Sequence, residues 1–369
     1  MKKSLLALAV IVAASANAAT VYDKDGTTLA VGGRVQAVVY NGNAGKAGDH
    51  DANLNNSARL NMAGKTKLTD WVSALAFTEW EMANGNKGSD TVSTREQFVG
   101  LDFADYGKLV LGKTYDANKA VYSTTSGVVF DDWGARAALT YTDRRNGQIQ
   151  YTYDNYGVFA KVAYQIAADG IEVGMVRPVA GAFKTGKIKA DVEGGFSGAL
   201  GYTFDNVVFG PLAIKAGYSY LKGQDDKDAL GNHSAKTFFD TYKNGAFGVS
   251  WGSIAQGLYF GALLTRGSET FFNGVKDIKQ KGYELVAGYK TDFGLGAYVG
   301  YNLSDVYQKG ENAPKYIFRR VPVYVNYAIN PHFNVWTEAE FDADSDKHVT
   351  KTSGLDTGTL LSLGARYTF

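Results

Sequence analysis

The chain reads as repeated segments of about ten residues in which apolar and polar positions alternate. The last segment is the clearest. Thr359, Leu361, Leu363, Ala365, Tyr367 and Phe369 would face one side of a strand, and Leu360, Ser362, Gly364, Arg366 and Thr368 the other. The split recurs upstream. Val192, Phe196, Leu200, Tyr202 and Phe204 oppose Asp191, Glu193, Ser197 and Thr203, and Phe333, Val335 and Phe341 oppose Asn334, Glu338 and Glu340. The polar faces mix charge with glycine and serine, which suits a wet interior better than the charged outer face of a soluble sandwich.

Sixteen such segments are predicted, near 27–40, 56–69, 71–83, 92–104, 107–116, 144–154, 157–167, 188–204, 211–222, 242–254, 257–268, 281–291, 294–304, 316–329, 333–342 and 357–369. Their connections are of two kinds. Tight turns such as Asp105-Tyr106, Asn155-Tyr156 and Asp292-Phe293 alternate with long polar loops near 41–55, 84–91, 117–143, 168–187, 223–241, 269–280, 305–315 and 343–356. Short turns at one end and long loops at the other are the pattern of a transmembrane antiparallel β-barrel. Aromatics at the turn ends (Trp71, Phe103, Tyr156, Phe209, Phe293 and Phe333) fit an interfacial girdle. Sixteen strands enclose a lumen wide enough for water, whereas eight are filled by side chains.

The start of the chain has another use. Lys2 and Lys3 precede an apolar run from Leu5 to Ala14, and Ala16-Asn17-Ala18 has small residues at the cleavage spacing. The run is too short to span a bilayer. Residues 1–18 are therefore expected to be a cleaved secretory signal peptide, and 19–369 a single barrel domain. Losing Lys2 and Lys3 moves the formal charge from +1 to −1, which gives no general attraction to nucleic acid. The chain has no cysteine, hence no disulfide, thiolate metal site or thiol nucleophile. The sequence has no later uninterrupted apolar stretch of helix-spanning length, so only a closed barrel could cross lipid.

Over its mature length the chain resembles the Gram-negative general diffusion porins. The resemblance is carried by Val21-Tyr22-Asp23-Lys24-Asp25-Gly26, by Phe98-Val99-Gly100-Leu101 followed by Gly107-Lys108-Leu109-Val110-Leu111-Gly112-Lys113-Thr114-Tyr115, and by the terminal Tyr367-Thr368-Phe369. It implies a sixteen-stranded, usually trimeric outer-membrane pore, with the third long loop folded into the lumen and its acidic residues facing basic residues on the wall. Carried over, Arg34, Arg59, Arg95 and Arg144 match the basic ladder, and each also falls on the polar face of its strand by alternation. The third loop departs from the enteric Pro-Glu-Phe-Gly-Gly pattern. It has Phe130-Asp131-Asp132-Trp133-Gly134, which places the acidic role on Asp131 and Asp132.

The expected function is passive diffusion of small hydrophilic solutes and ions. Outer-membrane lipid, lipopolysaccharide and two further copies of the chain are the expected partners, and no cofactor or metal is expected. Asp342-Ala-Asp344-Ser-Asp346 lacks the glycine and glutamate of a calcium loop. The four histidines, His50, His233, His332 and His348, sit in no catalytic or metal motif, so no enzyme is expected. Two alternatives stand beside diffusion: a sugar-specific channel using inward Tyr298, Tyr324 and Trp336, and an adhesin or phage receptor using the loops. Alternation also puts Glu96 on the outer face beside Arg95, which predicts that this strand lies in a subunit contact, because a carboxylate facing hydrocarbon is costly.

Overall fold

The structure, a computed structural model, describes residues 18–41, 52–85, 91–126, 144–179, 182–226, 239–272, 276–310, 316–345 and 358–369. Eighteen strands follow one another: β1 (Ala19–Lys24), β2 (Thr27–Tyr40), β3 (Asn53–Lys67), β4 (Ser73–Gly85), β5 (Thr91–Asp102), β6 (Lys108–Tyr115), β7 (Arg144–Asn155), β8 (Val158–Gln165), β9 (Ala168–Val179), β10 (Ala182–Val207), β11 (Gly210–Gly223), β12 (Phe239–Gly252), β13 (Gly257–Phe271), β14 (Ile278–Lys290), β15 (Leu295–Gln308), β16 (Tyr316–Asn330), β17 (Phe333–Asp342) and β18 (Leu360–Thr368). One helix, α1 (Lys119–Ser126), follows β6.

Each of the sixteen predicted segments is a strand, and all pairings are antiparallel. The ring runs β2 to β8, then β10 to β18, and β18 returns to β2, with Ser362 opposite Tyr40 and Thr368 opposite Arg34. Closure removes the sheet edge, as lipid requires. The seam is finished at the chain ends. Phe369 exchanges backbone hydrogen bonds with Gly33 at 2.8 and 2.9 Å. Below it, β1 pairs with residues 27–31 of β2 and so continues the line of β18.

Alternation sorts the side chains as two solvents demand. Large apolar residues such as Val35, Val99, Val162, Leu200, Leu285 and Leu363 are exposed on the outer face. Their neighbours Asn61, Glu79, Gln150, Asn244, Glu284 and Glu338 point inward and are buried. Aromatic pairs mark the turn end, Trp71 with Phe103 at 6.2 Å and Phe209 with Trp251 at 4.1 Å between ring centroids.

The structure departs from the sequence reading in several places: β1 lies outside the sixteen predicted segments, and three further differences bear on the wall. Residues 168–187, expected as a polar loop, contain β9 and the start of β10, a hairpin that prolongs β10 beyond its pairing with β8. Val192, assigned to the same face as Phe196, is buried among Ile171, Val173, Ala190, Leu221 and Phe239, while Phe196 is exposed. A register shift between Val192 and Gly194 inserts one residue and reverses the faces.

The third departure is Glu96. In β4–β5, Glu79 lies opposite Glu96 but Trp80 lies opposite Thr94, so Arg95 is the extra residue of a β-bulge. Counting from either end then sends Arg95 and Glu96 to the same side. Both point inward, and the subunit contact predicted from an outward Glu96 loses its basis.

Candidate functional site

The inner wall carries a lateral row of charge that strand register assembles. Arg34 on β2 lies opposite Arg59 on β3, and Arg59 lies opposite Glu81 on β4. Directly opposed residues share a face with Cβ atoms about 5 Å apart, which is why positions far apart in sequence meet. Arg59 donates from Nε to Glu81 at 2.8 Å. Arg95 reaches both carboxylates of β4, Glu79 at 2.6 Å and Glu81 at 2.8 Å. The bulge makes this possible by letting β5 present Arg95 and Glu96 inward in succession.

Arg144 begins β7 and continues the row. Its Nε is 4.0 Å from Glu96, its guanidinium lies 4.1 Å over the Tyr115 ring, and it donates to the Tyr115 hydroxyl. Glu96 also accepts from Thr114 at 3.2 Å. At the other end of the row, Arg366 on β18 donates to Gln36 on β2. The four arginines chosen from the sequence are therefore all inward. Arg59, Arg95 and Arg144 have carboxylates of the wall beside them. Arg34 forms no ion pair among the described residues, and its buried Nε has no hydrogen-bond partner.

Arg145, Asp116 and Arg366 were missed from the sequence. Alternation sends Arg145 outward if Arg144 is inward, yet Arg145 points in, because the β6–β7 register shifts between Gly112 and Thr114 and sets it opposite the buried Thr114, while Arg144, the first residue of β7, reaches Glu96 from beside Tyr115. Arg145 is 1% exposed and pairs with Asp116, which also accepts from Ser219 on β11. Arg366 had a visible signal, its place on the polar face of the final segment.

Asp116 opens the third connection, and α1 follows it. The helix packs against the inner side of β11–β14 and is pinned there by polar contacts. Asn118 donates to the Asn244 side chain at 2.9 Å, Tyr122 donates to the same side-chain oxygen at 2.6 Å, and Thr125 donates to Glu284 at 2.5 Å. The Tyr259 hydroxyl donates to the Thr124 carbonyl at 2.8 Å. Asp131, Asp132 and Trp133 lie outside the described residues, as do His50, His233 and His348. His332 sits in the β16–β17 turn, with Nδ1 at 2.9 Å from the Thr368 carbonyl.

Tyr298, Tyr324 and Trp336 also point inward, but they pack on one another and on Val38, Tyr259 and Val286. Tyr298 and Tyr324 stack at 6.0 Å, and Arg366 lies 5.2 Å over Trp336. Trp336 is 2% exposed, and its indole lies where Gly364 leaves room: a Cβ there would sit 2.1 Å from the ring. Among the described residues no group of histidine and acidic side chains could hold a metal ion.

A closed barrel of sixteen strands, apolar outside and charged inside, is a membrane-spanning barrel of the outer-membrane type. The chain belongs to the Gram-negative porins, whose family model matches residues 4–317. Outer membrane porin C of Salmonella typhimurium is 27% identical, over 99% of this chain and 98% of that protein. Outer membrane protein F of Serratia marcescens is 25% identical over the full length of both. The fold matches a solved Salmonella typhi OmpF complex with daunomycin at a TM-score of 0.73, with 19% identity, 95% of this chain and 100% of that one covered. It also matches an anion-selective porin from Comamonas acidovorans at 0.65, with 18% identity and coverage of 93% and 100%. The protein is an integral outer-membrane porin channel and not an enzyme.

Proposed function

We propose that this porin is a general diffusion channel for small hydrophilic solutes and ions, and that its narrow zone lies between the arginine row and the third loop. Arg34, Arg59, Arg95 and Arg144 form the basic side. Asp131 and Asp132 supply the acidic side, on a loop that folds into the lumen from its anchor in α1. The observation that carries this reading is the inward charge row itself, assembled by register across β2–β5 and β7. Charge fixed across a narrow wet gap sorts ions by sign and aligns polar solutes, while apolar ones must order or shed water. Arginine keeps its charge at any relevant pH and presents a rigid fork.

The working form is a homotrimer in outer-membrane lipid and lipopolysaccharide, with residues 1–18 removed on export. A solved relative, OmpT of Vibrio cholerae, is described in a trimer form. The inward aromatics pack into a closed cluster and offer no continuous sliding surface, so a sugar-specific channel is not the preferred reading. The test is single-channel current of purified protein in a planar bilayer, with reversal potential under a salt gradient. Large ohmic steps closing in threes support the proposal. Small steps blocked by a sugar, or silence from a folded barrel, overturn it.

A further inference from the structure

Below the arginine row, toward the tight turns, the inner wall carries a second group of cations that the narrow zone does not use. Lys65 on β3, Lys108 on β6, Lys161 on β8 and Lys215 on β11 all occupy inward positions. Lys65 shares the face of Arg59 and Asn61, Lys161 that of the buried Ala163, and Lys215 that of the buried Ser219, while Val162 and Ile214 beside them are exposed outward. Asp102 lies six residues beyond Glu96 on β5 and opposite Lys108. At about 3.3 Å per residue and a tilt of about 40°, Lys108 stands roughly 15 Å closer to the turn end than the row.

Register gathers three of the four. Thr152 on β7 lies opposite Lys108 on one side and Lys161 on the other, so these lysines stand two strands apart, about 10 Å between backbones. Gly201 on β10 lies opposite both Phe159 and Lys215. Having no side chain, it lets Lys215 lie across it: a Cβ there would sit 2.7 Å from Lys215 Cγ. The Lys215 ammonium thus reaches 5.2 Å over the Phe159 ring, one inward position from Lys161 on the same strand. It also donates to the Ser123 hydroxyl of α1 at 3.4 Å, which puts the group beside the base of the third loop.

Carboxylates do not cancel this charge. Asp102 takes Lys65 at 2.9 Å and leaves Lys108 at 3.8 Å, its buried ammonium without a hydrogen-bond partner. Asp154, inward on β7, acts on Lys108 and Lys215 but is in ion-pair contact with neither. Among the described residues Lys161 and Lys215 form no ion pair. Glu96 and Asp116, the carboxylates that act on Lys161, are held by Arg144 and Arg145. Four ammonium groups against Asp102 and Asp154 leave two positive charges over, and a solute with two negative charges matches that excess.

We propose that this group is a solute-binding station for a small phosphate-type dianion, held by Lys161 and Lys215 and drawn in by Lys108. Lysine carries a compact charge with three rotatable donors, so it meets phosphate oxygens without the planar match that arginine requires. Thr152 and Gly201, both small, keep the wall low between the lysines. A singly charged anion gains half as much from the same field, so chloride passes without being held. The inference rests on the diffusion reading and deepens it by giving one stretch of the pore a preferred solute class.

Phosphorus NMR tests it without requiring conduction. The line width of inorganic phosphate is followed as folded protein in detergent is added, in alkaline buffer where phosphate carries two charges. Block of the chloride current by phosphate in a planar bilayer reads the same site in the open channel. Wild type should bind phosphate, and chloride at equal ionic strength should not displace it. K161Q/K215Q should lose at least about tenfold in affinity, the screened attraction of one ammonium for a double charge about 4 Å away in water. D154N removes the competing carboxylate and should tighten binding, a gain that damage to the fold would not produce. Slow gel migration before heating verifies that each variant is a folded barrel. Equal affinity in wild type and K161Q/K215Q overturns the proposal, as does displacement by chloride at equal ionic strength or weaker binding in D154N. Phosphate binding by a barrel that passes no current supports the station and overturns the diffusion reading. An ohmic chloride current with no phosphate binding does the reverse.

Discussion

Arg34 is the arginine of the row whose charge the described wall does not cancel, so Arg34→Gln should change ion selectivity more than removal of a matched pair. The expected size follows from Coulomb's law. An ion passing about 6 Å from the guanidinium in water gains or loses ~0.7 kcal/mol. At 0.1 M salt, screening with a length of about 10 Å reduces this to ~0.4 kcal/mol. Cations and anions feel opposite signs, so their ratio changes by ~0.8 kcal/mol, or about fourfold. A lower effective dielectric inside the barrel raises the figure, which makes fourfold a lower bound. The assay is reversal potential across a bilayer under a salt gradient, and the cation-to-anion permeability ratio should rise by that factor. The double variant R95Q/E79Q removes one charge of each sign from a pair 2.6 Å apart and should shift the ratio less than about twofold. An unchanged reversal potential in R34Q, together with a large shift in R95Q/E79Q, would refute the reasoning. Selectivity would then depend on the paired charges and not on the unbalanced one.

Three further outcomes are expected. Asn244→Leu removes the side-chain acceptor shared by Asn118 and Tyr122; Asn118 keeps its 3.2 Å bond to the carbonyl of residue 244, and loss of the acceptor of the buried Tyr122 hydroxyl should cost about 1–3 kcal/mol. The base of the third loop should then be cut faster by added protease, at unchanged barrel content by circular dichroism. Gly33→Ala places a Cβ 2.4 Å from the Arg59 carbonyl oxygen and 2.7 Å from the Phe369 ring, at the seam where the barrel closes. Overpacking there should cost about 1–3 kcal/mol and lower the temperature at which the barrel loses its slow gel migration. In the β3–β4 turn, a hydrogen bond from Lys67 at 2.8 Å, helped by its charge, holds the Asp70 carboxyl below its ordinary value. A depressed carboxyl stabilises the turn above the unfolded value and loses that contribution as pH falls through the folded one. Lys67→Met should raise the Asp70 midpoint in a chemical-shift titration, and an unmoved midpoint would discard the pairing.

What the sequence made legible was set by period. Where alternation runs unbroken, as in Thr359–Phe369 or across Glu338 and Glu340, the lumen face read from the sequence is the lumen face observed. Where a strand gains one residue, the count fails beyond that point. Arg95, the Gly112–Thr114 step and the Val192–Gly194 step are such places. The sequence carries little warning of them, because a bulge depends on the partner strand as much as on its own residues. Two of the three lie in the wall of the candidate site, and there they have a common effect. A regular strand offers the lumen one side chain in two, about 7 Å apart. The Arg95 bulge lets β5 offer Arg95 and Glu96 together, and the β6–β7 shift turns Arg145 inward opposite Thr114, next to Arg144 at the strand's start. Arg95 then serves β4, Glu96 and Arg144 meet, and Arg145 is left to hold Asp116 at the root of the third loop. The irregularities that defeat periodic reading are thus what concentrates charge on this stretch of wall. Deleting Thr94 would test the point, because it shortens the upper part of β5 without touching a charged group. Arg95 would then fall opposite Trp80 and turn outward unless the bulge moved with it. A higher cation-to-anion permeability ratio in that variant, from Glu79 left without Arg95 while Arg34 stays in place, is the expected result with the barrel still folded.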